Sequence, residues 1–172
     1  MALALTVTYA QDNNTDNHLI SLIIPQVALL DIESAGATDL EFDMTAPTEA
    51  GDPLAEQTDN TLWLNVTSIV AAGNDRDINV KVNNTYDGID LKVVAGTYSG
   101  SGFGGFGTPA AELTLTNADQ ALVTGITSGY TVDGASNGYQ LTYTAEVDAS
   151  SGFADLVSTV GQDITVTYTL SN

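Results

Sequence analysis

Hydrophobic and polar residues alternate with a period of two along most of the chain, the signature of strands with one face on a core and the other in water. Leu3, Leu5, Val7 and Tyr9 alternate with Ala4, Thr6 and Thr8, and Leu40, Phe42 and Met44 alternate with Asp39, Glu41 and Asp43. Further runs cover 18–24 and 27–32 on either side of Pro25, then 61–70, 78–82, 89–94, 112–116, 122–127, 139–147 and 164–170. This predicts about ten strands separated by Gly, Asn, Asp and Pro. Pro25, which cannot donate to a ladder, is expected to mark a bulge or a strand that changes sheets. Residues 45–60, 71–77 and 86–88 read as loops or turns, Asp87-Gly88 being a strong hairpin signal. Only 153–160 has room for a helical turn. Strands with no intervening helices exclude a parallel βαβ fold and predict an all-β antiparallel sandwich.

Charge narrows the function. Lys and Arg total 3 against 22 Asp and Glu in 172 residues, a formal net charge of −19. A phosphate-gripping surface lacks its cations, so nucleic acid is excluded as a partner. The same charge opposes docking on an anionic membrane, and no apolar run approaches the roughly 18–20 residues of a membrane-spanning helix, so membrane insertion is not expected. A hydrophobic fraction of 43%, spread regularly along the chain, argues against disorder. With no Cys and one His, His18, thiol nucleophiles, disulfides, Cys-based zinc sites and His-dependent dyads drop out together. Acidity with Thr, Asn, Gly and Ser enrichment suggests an exported surface protein.

Residues 1–17 divide into an alternating segment and a polar tether, Gln11–Asn17, ahead of a sandwich expected over 18–172. Met1–Ala10 reads either as the remnant of an export signal or as an accessory strand able to pair in its own domain or in a neighbour's groove. The alternating extension at Leu3–Tyr9, the linker, the Pro-broken run HLISLIIPQVALLDI and the terminal ITVTYTLS together resemble the layout of the Ig-like subunits of bacterial extracellular fibres and pili assembled by donor-strand complementation. Secreted β-sandwich proteins of marine or gliding bacteria share the same general look. The resemblance implies an Ig-like antiparallel β-sandwich with an N-terminal donor-type strand, a homopolymer and an extracellular location. It implies subunit contacts through Leu3, Leu5, Val7 and Tyr9. The chain departs from many pilus subunits in having no Cys pair.

The remaining candidate chemistry is sparse. Glu41, Glu112 and Glu146 lie in strand-like runs, but a catalytic carboxylate pair would need a cleft with aromatic platforms, and Trp63 is the single Trp. Solvated strand faces are expected instead, and no enzyme activity. Asp12, Asn14 and Asp16 open like a calcium loop, yet the twelfth position is Ile23 rather than Glu. Asn74, Asp75 and Asp77 form a second oxygen-rich cluster, explicable as turn chemistry. No cofactor is expected, calcium being the one ion that these loops could take. Ser99–Gly107, SGSGFGGFG, lacks the Lys of a phosphate loop; Phe103 and Phe106 either contact a partner or fold back over the sheet. His18 reads as a lone surface imidazole, and Asn13, Asn65 and Asn83 begin glycosylation-type triplets that arise readily by chance. Asp52, Glu56, Asp59, Asp75 and Asp77 are expected in solvent. The function expected is a non-enzymatic extracellular subunit polymerising by strand exchange; the alternative is a secreted monomeric adhesion or carbohydrate-binding module touching a surface or glycan.

Overall fold

The computed structural model describes residues 14–150, 152–159 and 161–171. Among them are nine strands and one helical turn: β1 Val27–Ser34, β2 Gln57–Ile69, β3 Arg76–Val82, β4 Ile89–Ala95, β5 Phe103–Pro109, β6 Leu113–Thr114, β7 Gln120–Tyr130, β8 Tyr139–Val147, α1 Gly152–Asp155 and β9 Val166–Leu170. All strand pairs are antiparallel. One layer runs β6-β4-β8-β2-β1 and the other β5-β7-β3-β9. They are joined where the far end of β2 leaves β8 and pairs with β7 at Thr67 and Ser68. The all-β antiparallel sandwich read from the alternation is the architecture observed.

The alternation also explains the core. Leu62, Leu64 and Val66 of β2, Ile78, Val80 and Val82 of β3, and Tyr139, Leu141, Tyr143 and Ala145 of β8 are buried at every second position. All of these but Ala145 meet Val93, Leu122, Val123 and Ile126 in one cluster between the layers. The Tyr143 hydroxyl of β8 hydrogen-bonds that of Tyr168 on β9, tying the two layers at their polar ends.

Several boundaries differ from the sequence reading, each for a physical reason. Ser99–Gly107 is not simply a loop: its second half enters β5, on the edge of β7. Its glycines allow a backbone approach that side chains would forbid. A Cβ at Gly104, where φ is +121°, would lie 2.3 Å from the Gly129 Cα, and one at Gly107 2.3 Å from the Thr124 oxygen. Residues 39–44 alternate as expected but join no ladder, although Leu40 and Phe42 pack against the core. The loop after them ends at Glu56, because β2 begins three positions before Asn60.

The largest departure is residues 18–24, expected as the first strand of the sandwich. They belong to no strand and are exposed throughout. Pro25 accordingly marks neither a bulge nor a change of sheet but the boundary between this stretch and β1. The cause is register. Val27 lies opposite Ile69, the last residue of β2. Beyond it the chain turns, with the Asn74 N–H donating to the Ala71 oxygen at 3.0 Å. Residues 18–24 therefore overshoot the strand they would have paired with.

This division between core and extension is measurable. Leu64→Ala, at a fully buried position, should lower the unfolding free energy by about 2–5 kcal/mol. Leu22→Ala, at a position 82% exposed, should leave the stability of the monomer within about 0.5 kcal/mol of the parent. Denaturant titration of both variants checks the pair of outcomes.

Candidate functional site

Leu19, Ile20, Leu22, Ile23 and Ile24 account for half of the strongly exposed large hydrophobic residues among the described ones. In an extended chain Ile20, Leu22 and Ile24 share one face, and Leu19, Ser21 and Ile23 the other. A strand at the surface of a two-layer sandwich would have one polar face; this segment has none. That feature was visible in the sequence and separates it from the true edge strands. Between Asp16 and Asp31 the chain carries no Asp, Glu, Lys or Arg. Large contiguous apolar surface of this kind marks an interaction site.

Among the described residues the sandwich offers four edges to such a segment, and they are not equivalent. β6 is two residues long. β5 has a register shift between Gly104 and Phe106, left-handed glycines at Gly104 and Gly107, and Pro109 at its end. Bulges and proline blunt an edge against further pairing. β1 runs in unbroken register along β2 but carries Asp31 and Glu33. β9 pairs with β3 without a shift from Val82↔Val166 to Ile78↔Leu170 and has no acidic residue.

The direction of the β9 backbone groups follows from its flanking bonds. The Asn83 N–H donates to the Thr165 oxygen at 3.0 Å, and the Ser171 N–H to the Asp77 oxygen at 2.8 Å. Antiparallel ladders alternate bonded and non-bonded pairs, so Thr167 and Thr169 bond to β3. Val166, Tyr168 and Leu170 turn their N–H and C=O groups to the open side. The side chains of these same three residues face the core yet stay half-exposed, as does Ile164. β1 approaches β9 with Cα atoms within 8 Å, and no β1–β9 ladder is formed among the described residues.

Leu3, Leu5, Val7 and Tyr9 lie outside the described residues, as does Asp12. The two phenylalanines of the glycine-rich stretch separate. Phe103 is 77% exposed. Phe106 folds inward against Tyr98, with ring centroids 4.0 Å apart, and its carbonyl accepts the Tyr139 hydroxyl. Tyr98 in turn donates its hydroxyl to the Thr131 oxygen at 2.6 Å.

The acidic candidates are engaged in local structure. Glu146 and Glu112 flank Lys92: Glu146 hydrogen-bonds its ammonium, and Glu112 stands 3.9 Å away. The Glu146 hydrogen bond holds the Lys92 pKa above the ordinary lysine value. Glu41 is elsewhere and exposed. Asp59 and Asp77 are half-buried rather than fully in solvent, because each accepts backbone hydrogen bonds, from the Thr61 N–H at 2.8 Å and the Gly125 N–H at 2.9 Å. Asp52, Glu56 and Asp75 are exposed as expected. No group of three or more metal-ligating side chains is found among the described residues. An open cleft of about 330 Å³ is lined by Tyr86, Asp87, Asp90 and Asp148 with Leu91 and Ile164, Tyr86 being the one aromatic residue among the described residues that line it. No helix among the described residues is long and apolar enough to cross a membrane.

The sequence matches no protein-family model, and no curated protein or solved structure shows a significant likeness to it.

The tyrosine pair beneath β9 gives the domain an alkaline limit. Burial pushes the Tyr143 pKa up to about 12, with the Tyr168 hydrogen bond partly opposing. Burial and the neighbouring Tyr143 raise Tyr168 as well. The fold favours the neutral phenols, so this contribution is complete below the unfolded value near 10 and is lost as pH rises toward 12. For Tyr143 the two-unit rise corresponds to about 3 kcal/mol. Unfolding free energies measured from about pH 9 to about pH 12 should fall steeply, and the fall should be shallower in Tyr143→Phe.

Proposed function

We propose that the protein is a non-enzymatic structural subunit that polymerises with copies of itself into an extracellular fibre by exchanging β-strands. The observation that carries this reading is the stretch Leu19–Ile24, apolar on both faces and held outside the sandwich next to β1. Each such side chain gains about 1.5–3 kcal/mol when it leaves water, and the register of β1 on β2 leaves it no site in its own sheet. An extended apolar segment that adds to a neighbour's sheet edge satisfies both its side chains and its backbone. The layout resemblance to fibre subunits points the same way.

Charge determines where copies can touch. Subunits at −19 repel at contact, and the charge-free stretches 17–30 and 93–111 are among the places where two copies meet without juxtaposing carboxylates. Phe103, exposed at the start of β5, is available for a secondary contact.

Negative-stain microscopy and size-exclusion chromatography test the reading. The intact chain should form uniform filaments or an oligomer ladder, while Leu22→Asp and a chain lacking residues 1–24 should stay monomeric with unchanged circular dichroism. A protein that stays monomeric at every concentration, or a truncated chain that polymerises like the parent, overturns it. Assembly should also accelerate with monovalent salt, because the Debye length falls from about 30 Å at 0.01 M to about 8 Å at 0.15 M, and should proceed unchanged in chelator. Light scattering across a salt series checks both outcomes; assembly rescued by calcium alone would instead place the acidic loops at the interface as ligands.

A further inference from the structure

We infer that the acceptor of the extension is the open edge of β9, and that its occupant is residues 19–24 of a second copy of this chain, with Ile20, Leu22 and Ile24 covering the half-open end of the core. This rests on the strand-exchange reading above and names the surface that the reading leaves unspecified.

Three independent features of β9 converge. Its outward N–H and C=O groups, on Val166, Tyr168 and Leu170, are spaced at every second residue in unbroken register, so an added strand finds a regular ladder. Those same residues point half-exposed apolar side chains at the core, whereas their neighbours on β3, Ile78, Val80 and Val82, are buried to 3% or less. The core is thus closed on one side of β9 and open on the other. Finally, neither partner carries an acid at the contact: the last acidic residue before β9 is Asp163, and residues 17–30 have none. In a chain of this charge, that pairing of acid-free strips favours β9 over β1, which presents Asp31 and Glu33, while the equally acid-free β5 is set aside by its register shift, its left-handed glycines and Pro109, and β6 by its length.

The lengths agree as well. Leu19–Ile24 is six residues and β9 is five, both close to 17–20 Å when extended at about 3.3 Å per residue. With Ile20, Leu22 and Ile24 turned inward, Leu19, Ser21 and Ile23 share the outer face with Thr167 and Thr169. The occupant belongs to another copy because the chain's own extension leaves β1 at Val27, opposite the last residue of β2, and residues 19–24 stay exposed rather than packed on β9.

The chain contains no Cys, so disulfide trapping tests the arrangement directly. Ser21→Cys is combined with Thr167→Cys or Thr169→Cys, both on the exposed outer face, and the intact protein is oxidised during assembly. Strands paired side by side bring Cα atoms within disulfide range. The expected result is a ladder of covalent multimers on non-reducing gels, with peptide mapping that joins position 21 to 167 or 169. Trapping should be strong, whereas Ser21→Cys paired with Leu29→Cys on β1 or with Thr108→Cys on β5 should give at most background, because only side-by-side strands bring the Cα atoms within disulfide range. A disulfide within a single chain overturns the second copy as occupant. Filaments whose cross-links run to 29 or 108, or to none of these positions, overturn β9 as the acceptor while leaving strand exchange intact. A chain that neither cross-links nor polymerises overturns both.

Discussion

The register of β2 governs the rest of the molecule. This single strand of thirteen residues pairs with β1 along its outer half, with β8 along its first half and with β7 at its far end. Because it serves both layers, its length fixes how far each can extend. It stops at Ile69, opposite Val27, where the chain turns toward Arg76. The described residues ahead of Val27, 14–26, consequently have no place on β2, however strand-like 18–24 are in composition. The exposed apolar run is a topological result, and local propensity does not decide it.

The buried contacts on the other side of that boundary are dense and specific. Leu64, Ile78, Leu122, Tyr139 and Leu141 are fully buried, and interiors of this kind are packed closely enough that removal of a few methylenes is felt. The tyrosines add polar restraint to apolar packing: Tyr98, Tyr139 and Tyr143 each spend a hydroxyl on a carbonyl or on another phenol inside the sandwich. Buried hydroxyls that find partners rigidify a core without the penalty of an orphaned group.

Much of this was legible in the residues. The alternation at Leu62-Leu64-Val66 and at Ile78-Val80-Val82 locates both strands and their inward faces, and Asp52, Glu56 and Asp75 are exposed as composition suggests, whereas Asp59 and Asp77 are half-buried because each accepts a backbone N–H that no sequence pattern announces. What alternation cannot report is the end of a partner strand. Leu19–Ile24 reads as strand because its residue types are strand formers, while its fate depends on Ile69, some fifty positions away. Likewise the SGSGFGGFG stretch reads as loop by composition, yet its glycines are what let β5 approach β7. Leu40 and Phe42 alternate and pack without pairing, because side-chain burial and backbone pairing are separate requirements. The free side of β9 emerges only from the sheet order, and no local signal in VTYTL distinguishes an edge from a centre.

The eight unbroken pairs between β1 and β2 also define how the domain bears mechanical load. The apolar segment continues directly into β1, so tension applied to it enters along that strand's axis. Every hydrogen bond of the β1–β2 ladder is then sheared at once, where a pull at right angles would peel them one by one. With no disulfide to arrest extension, the resistance of β1 to such a pull would come from this ladder and from Leu30 and Ile32, which pack against the core.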